Sequence, residues 1–240
     1  MIAGITIARG GSRRLPRKNV RDFCGKPLVA WTVNQMMQSN LLGGVWLSTD
    51  DDEIAAIGEE NGAEIIWRPD WPDADQVAAN RVYLHAIDTL GLRDDDHVFQ
   101  ALPTSPLRLP GDIDRVIRQH LALGCNVIMA AKRRETVMYR VTHPILSRIT
   151  LFDKGYNYVE GASGVGNCST VGWYKQWTAG LPSDLDADLD KRMEGLGVPN
   201  GPQHDQAFVE CQQFQTFEVD TLPEFEFCEA LMRHYILGAD

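Results

Sequence analysis

The residues best suited to chemistry stand at the start of the chain. Ile5-Thr6-Ile7-Ala8-Arg9-Gly10-Gly11-Ser12-Arg13-Arg14-Leu15-Pro16-Arg17-Lys18-Asn19 runs from an apolar stretch through a glycine pair into a block of cations. Glycines let backbone N–H groups approach a ligand closely, and guanidinium and ammonium groups neutralise a polyanion, so this order of parts suits a triphosphate. Arg9 and Lys18 flank the turn and are the candidate catalytic cations. Ser12 and the backbone of Gly10 and Gly11 are candidate hydrogen-bond donors, Ala8 opens the same nucleotide-binding stretch, and Asn19 can reach a ribose or phosphate oxygen. Arg13, Arg14 and Arg17 read as exposed cations on the loop. Neither GxxxxGK[ST] nor GxGxxG occurs, so the loop differs from both of those phosphate cradles.

These cations stand against an acidic background. The formal net charge of −10 argues against broad nucleic-acid binding and for a soluble chain. The apolar run before the basic block is too short, and on the wrong side of the charges, for a secretory signal, and no run approaches a membrane span. Cys24, Cys125, Cys168, Cys211 and Cys228 are odd in number and widely spaced, with no CxxC pair. They predict neither a disulfide framework nor a zinc site, and a cytoplasmic setting follows.

The elements that must position the loop read as an alternation. Strands are expected at Ile2–Ile7, Val45–Thr49, Ala63–Trp67, His97–Leu102 and Asn126–Ala130, and helices at Pro27–Gln38, Asp51–Gly62, Val77–Leu90 and Asp112–Leu123. This pattern predicts an α/β fold, a doubly wound, mostly parallel sheet with ligands at the carboxyl ends of its strands. After Ala131 the regularity loosens. Residues 134–180 read as a small β-rich arm within one 240-residue α/β domain, and Pro182–Pro202 as a polar loop whose aspartates lack the glycine and glutamate register of an EF-hand. A strand is expected at Phe214–Asp220 and a closing helix at Leu222–Tyr235.

The runs IARGGSRRLPRKN, FCGKPLVAWTV, LSTDDDEIAAIGEENGAEIIWRP, PTSPLRLPGDID and FEVDTLPEFEFCEAL together resemble the acylneuraminate cytidylyltransferases, the CMP-sialic acid synthetases and their relatives that make CMP-nonulosonates. The resemblance implies a Rossmann-like nucleotidyltransferase. In its reaction the anomeric hydroxyl of an acidic sugar attacks the α-phosphorus of CTP, giving a CMP-sugar and pyrophosphate, with Mg²⁺ as cofactor. It also implies a homodimer, with 134–180 as its dimerisation and acceptor-side arm.

Carried over position by position, Arg9 and Lys18 match the family's triphosphate contacts, and Arg68 an arginine near the nucleotide. Glu218 and Asp220 match two carboxylates separated by one residue at the end of a strand. Residues i and i+2 of a strand share a face, so both can point at one Mg²⁺. Two nucleotide-side positions differ in chemistry: Leu102 stands where relatives carry Gln, and Ala79 aligns with a serine. Neither offers side-chain hydrogen bonds, which leaves Asn80 or Gln100 as substitutes. On the acceptor side Asn167 falls where relatives have an Asn-Gly strand, without the arginine that usually precedes it. Lys132, with Arg133 and Arg134, is the alternative partner for an acceptor carboxylate. Two other readings stay open: a nucleotidyltransferase with changed base or a non-sugar acceptor, and a non-catalytic nucleotide-binding protein.

Overall fold

A computed structural model describes residues 1–71, 77–124, 126–132, 140–142, 145–147, 159–160, 166–171 and 206–238. Strand β1 (Ile2–Ile7) leads through the basic loop to a hairpin, β2 (Asp22–Phe23) and β3 (Lys26–Pro27). Then follow α1 (Leu28–Met37), β4 (Gly44–Thr49), α2 (Asp52–Glu60), β5 (Glu64–Trp67), α3 (Ala79–Thr89), β6 (His97–Gln100), α4 (Asp112–Leu123) and β7 (Asn126–Lys132). A second hairpin, β8 (Arg140–Thr142) and β9 (Ile145–Ser147), precedes β10 (Val159–Glu160), β11 (Asn167–Thr170) and β12 (Gln206–Glu210). The chain closes with α5 (Leu222–Leu231), prolonged by a π-helical turn over Met232–Leu237.

Eight strands form one sheet in the order β10-β7-β11-β6-β1-β4-β5, with β12 also beside β7. β1 lies between β4 and β6 and is parallel to both, β4 is parallel to β5, and β12 to β7. β11 is antiparallel to β6 and β7, and β10 to β7, so these parts of the expected arm belong to the main sheet. The sheet grows in opposite directions from β1. In an open α/β sheet such a reversal leaves a crevice beyond the strands' carboxyl ends, and here the loop after Ile7 opens there.

Alternation along the strands sorts the core onto two faces. Leu47, Phe99, Val127 and Cys168 pack with Val29, Val33 and Met36 of α1, Ile54 of α2 and Val116 of α4. Ala3, Ile5, Trp46, Ile66 and Val98 pack with Tyr83, Ala86 and Ile87 of α3. The helix starts are chemically marked: Asp51 accepts from Ile54 N–H at 3.0 Å as the cap of α2, and Thr221 with Glu224 forms a capping box on α5. Among the described residues, no helix is long and apolar enough to cross a membrane.

One expectation is corrected and one unassigned stretch is resolved. The stretch Phe214–Asp220 is not a strand. Gln213–Thr216 forms a 3-10 turn because Gln212 and Gln215 cap one another, and buried Gln215 is tied to Asp112 of α4; Phe217 then turns extended. Gln206–Glu210, unassigned in the sequence, is a strand whose partner β7 lies about eighty residues earlier. The Asp184–Asp190 ladder, Arg133, Arg134, Cys125 and most of 134–180 lie outside the described residues. The other four cysteines are free thiols.

Candidate active site

The crevice holds a cavity of about 510 Å³. Its wall combines Arg9, Ser12, Arg13, Arg14, Lys18 and Asn19 from the loop after β1, Arg68 after β5, Ala79 and Val82 of α3, Leu102, Pro103 and Thr104 after β6, and Asp220 before α5. The segments after three strands, β1, β5 and β6, and the start of α3 therefore meet one C-terminal segment. Of the residues singled out from the sequence, Arg9, Ser12, Lys18, Asn19, Arg68, Ala79, Leu102 and Asp220 line this cavity.

The basic loop is held from several sides. Gly10 N–H donates to Asp50 Oδ1 at 2.9 Å, and its own carbonyl accepts from Ser12 N–H at 3.0 Å. A Cβ at Gly10 would stand 2.3 Å from Asp51 Oδ2, so only glycine permits this approach of the loop to the start of α2. Arg17 pairs with Asp51 and Glu53, which makes it a brace for the loop. Asn19 is buried and donates from Nδ2 to the Arg9 carbonyl at 3.0 Å, fixing the backbone that carries the Arg9 side chain. Ala8 is buried, donates from N–H to the Ser48 carbonyl at 3.0 Å, and is not among the lining residues; nor are Gly10 and Gly11.

The second half of the site is joined to the first by Lys18. Its Nζ donates to the Val219 carbonyl at 2.6 Å and to Asp220 Oδ1 at 3.0 Å, while Arg14 Nη1 reaches Asp220 Oδ2 at 2.9 Å. Apolar packing sets this meeting: Leu15 of the loop and Val219 share one buried cluster with Phe23, Leu28, Leu107 and Phe225. Val219 N–H also donates to the Thr104 carbonyl at 2.7 Å, so the 217–220 segment is pinned to the loop after β6. Glu218 accepts from Ser105 Oγ at 3.3 Å and is not among the lining residues. Burial, reinforced by the Asp220 charge, raises its carboxyl pKa above the ordinary value. The two carboxylates thus sit in different surroundings, one facing cations in the cavity and one half-buried.

The remaining wall is short of polar side chains. Ile7, Val77, Ala79, Val82, Leu102 and Pro103 are apolar, and Arg68 and Thr104 are the exceptions. Arg68 donates from Nη2 to the Ser48 carbonyl at 3.0 Å; burial lowers its pKa, and Asp50 partly offsets this. Asn80 and Gln100 do not line the cavity, and Asn80 Oδ1 accepts from the Arg81 N–H. The strand positions of Lys132, last in β7, and Asn167, opposite Gln100 and Ile128, are described, but their side chains lie outside the described residues.

Several contributors escaped the sequence reading. Arg13 and Arg14, expected as exposed cations on the loop, line the cavity. Asp50, directly after β4, holds the Gly10 amide. Arg108 is fully buried; its guanidinium donates to Leu102 O at 2.9 Å, Thr32 Oγ1 at 3.1 Å and Gln35 Oε1 at 3.0 Å, and burial draws its pKa down to about 10. It holds the backbone on which Leu102 faces the cavity. An arginine inside the apolar-flanked run PTSPLRLP was the available signal, since a charge there needs several acceptors.

Residues 3–156 match the family model described as cytidylyltransferase. Over 106 residues the chain is 38% identical to a pseudaminic acid cytidylyltransferase of Campylobacter jejuni, covering 43% of this chain and 46% of the relative. Over 133 residues it is 32% identical to a CMP-N,N'-diacetyllegionaminic acid synthase of Legionella pneumophila, covering 53% and 56%. The matched stretches thus span about half the length of these curated relatives. In structure, the chain resembles a CMP:2-keto-3-deoxy-manno-octonic acid synthetase complexed with CTP, with TM-score 0.67 and 16% identity over 98% of this chain and 99% of that one. It likewise resembles a 4-diphosphocytidyl-2C-methyl-D-erythritol synthase of Anaerococcus prevotii, with TM-score 0.64 and 14% identity over 97% and 96%. These two likenesses establish the fold, and the match over residues 3–156 establishes that the chain belongs to the cytidylyltransferase family.

Proposed function

We propose that the chain couples CTP to an acidic sugar of the nonulosonate type, releasing pyrophosphate and a CMP-sugar. The observation that carries this reading is the convergence of Arg9, Lys18 and Asp220 on one cavity at the carboxyl edge of the sheet. Attack of the anomeric hydroxyl on the α-phosphorus places negative charge on the phosphoryl oxygens and on the departing pyrophosphate. Arg9, Arg13 and Lys18 supply positive charge where that charge develops, and a preorganised donor of this kind contributes on the order of 10²–10³ in rate. Lys18 cannot swing freely, because its Nζ is tied to the Val219 carbonyl. The loop braces at Asp50 and Asp51 keep the other cations from following the substrate out.

The donor set fits a hard divalent cation. Asp220 offers carboxylate oxygen to the cavity, Glu218 is two residues away, and among the described residues lining the cavity there is no thiol or imidazole. Mg²⁺ is commonly held by one or two carboxylates together with substrate phosphates. Asp220, with Glu218, would hold the ion, which supplies charge neutralisation at the phosphates. Free thiols at the four described cysteines support a reducing, cytoplasmic setting, and the reading includes a homodimer built through 134–180 with Lys132 and Asn167 on the acceptor side.

Pyrophosphate release from CTP with Mg²⁺ and a panel of nonulosonic and ketodeoxy acids tests the proposal. Release that needs one of these acids supports it; no release with any nucleoside triphosphate from folded, metal-supplied protein removes it. A changed base is the second reading, favoured by Ala79 and Leu102 both lining the cavity without side-chain donors or acceptors. Thermal shifts with the four triphosphates separate the two, since a clear CTP preference counts against it.

A further inference from the structure

Among the described residues lining the cavity, Asp220 is the only carboxylate, and its two oxygens are committed to different cations. Lys18 Nζ engages Oδ1 at 3.0 Å and Arg14 Nη1 engages Oδ2 at 2.9 Å. The two cations differ in how firmly they are held. The Lys18 side chain is 9% exposed and also bound to the Val219 carbonyl, whereas the Arg14 side chain is 69% exposed. Lys18 is part of the frame, and Arg14 is the partner that can leave.

A divalent cation needs the same lone pairs on Asp220. If it arrives while both cations stay, three positive groups crowd one carboxylate, and the contact is weak. A triphosphate changes the balance, because phosphate oxygens offer a guanidinium a more highly charged, bidentate partner than one carboxylate oxygen. Once Arg14 turns to phosphate, Oδ2 is released towards the cavity.

We infer that Arg14 guards Asp220: its guanidinium competes with divalent cations for the carboxylate until a triphosphate draws it away, so that nucleotide binding favours metal binding. Arg14 is thus a positioning residue acting through Asp220. This inference rests on the nucleotide reading proposed above.

The test is titration of the full chain with Mn²⁺ in the absence of nucleotide, at low salt, reading free Mn²⁺ by electron paramagnetic resonance. An exposed ion pair of this type corresponds to roughly a two- to fivefold change in an equilibrium constant. Arg14→Ala is therefore expected to tighten nucleotide-free Mn²⁺ binding by about that factor. The gain should disappear in Arg14→Ala/Asp220→Asn. Arg13→Ala, which removes the same charge from the same cavity wall, should give a smaller gain. Unchanged or weaker binding in Arg14→Ala, an equal gain in Arg13→Ala, or a gain that survives Asp220→Asn overturns the guard. Calorimetric titration of the wild-type chain with CTP in a chelating buffer separates the two levels. Failure of CTP to bind overturns the nucleotide reading, while CTP binding with unaltered Mn²⁺ affinity in Arg14→Ala overturns the guard alone.

Discussion

Lys18 donates from Nζ to the carbonyl oxygen of Val219 at 2.6 Å, closing a separation of 201 residues. This bond holds the segment before α5 against the basic loop, and the same ammonium faces the cavity beside Asp220. One side chain thus joins the architecture of the site to its charge.

Lys18→Met is expected to fail in both respects. Loss of a charged donor to a buried carbonyl costs about 2 kcal/mol, read as a lower urea midpoint with an unchanged slope. Loss of the cation lowers kcat for pyrophosphate release on the order of 10²–10³. A variant with full stability contradicts the bracing role, and one with full activity contradicts the charge role.

Gly10→Ala tests the close approach of the loop to α2. The added methyl meets Asp51 Oδ2 at 2.3 Å, and Asp51 both caps α2 and pairs with Arg17. Displacing it costs about 1 kcal/mol of stability through the cap. Displacing the Gly10 amide from Asp50 loosens the loop that carries Arg9 and Lys18 and should weaken CTP binding by up to about tenfold, or about 1.4 kcal/mol. Calorimetry with CTP and thermal unfolding of the same preparation measure the two effects.

Those two residues also mark what could be read from the chain. The glycine turn, its flanking cations and the strand–helix alternation were legible because they depend on local composition and periodicity, and Asp112–Leu123 coincides end to end with α4. Legibility failed where a long-range partner decides the outcome. Gln206–Glu210 is a strand because β7 offers it a parallel edge, and Phe214–Asp220 is not one because Gln212, Gln215 and Asp112 hold it in a turn. Arg14 read as an exposed cation on the loop because its partner, Asp220, lies 206 residues later. Arg108 carried no recognisable role until Thr32, Gln35 and the Leu102 carbonyl were seen around it.

Glu218 makes stability depend on pH in a stated direction. Burial raises its folded pKa above the ordinary 4.5, so the folded chain retains a proton that the unfolded chain releases. In the window above 4.5 the folded state binds more protons, and stability therefore falls as pH rises. Glu218→Gln removes that penalty. Thermal unfolding should show the variant more stable than the wild type at pH 8, with the difference shrinking as pH falls towards 4, where both side chains are neutral. A variant less stable at pH 8 contradicts the assignment of burial as the dominant cause.

Leu102→Gln tests whether the cavity's apolar wall sets nucleotide selectivity. The Leu102 carbonyl is fixed by the buried Arg108 guanidinium, so the new carboxamide enters the cavity from a backbone that does not need to move. Its amide group offers both a donor and acceptors, which a pyrimidine with both an amino group and ring acceptors can use and Leu cannot. One net hydrogen bond of about 0.5–1.5 kcal/mol corresponds to roughly two- to tenfold tighter CTP binding. Ala79→Ser, at the start of α3 and lining the same cavity, should add to it if the two groups contact different atoms of the base. Calorimetry with CTP and UTP on the wild type, both single variants and the double variant reads this directly. Gains confined to CTP assign these positions to base selection; equal gains for CTP and UTP, or none, show that the base is recognised by groups other than these two.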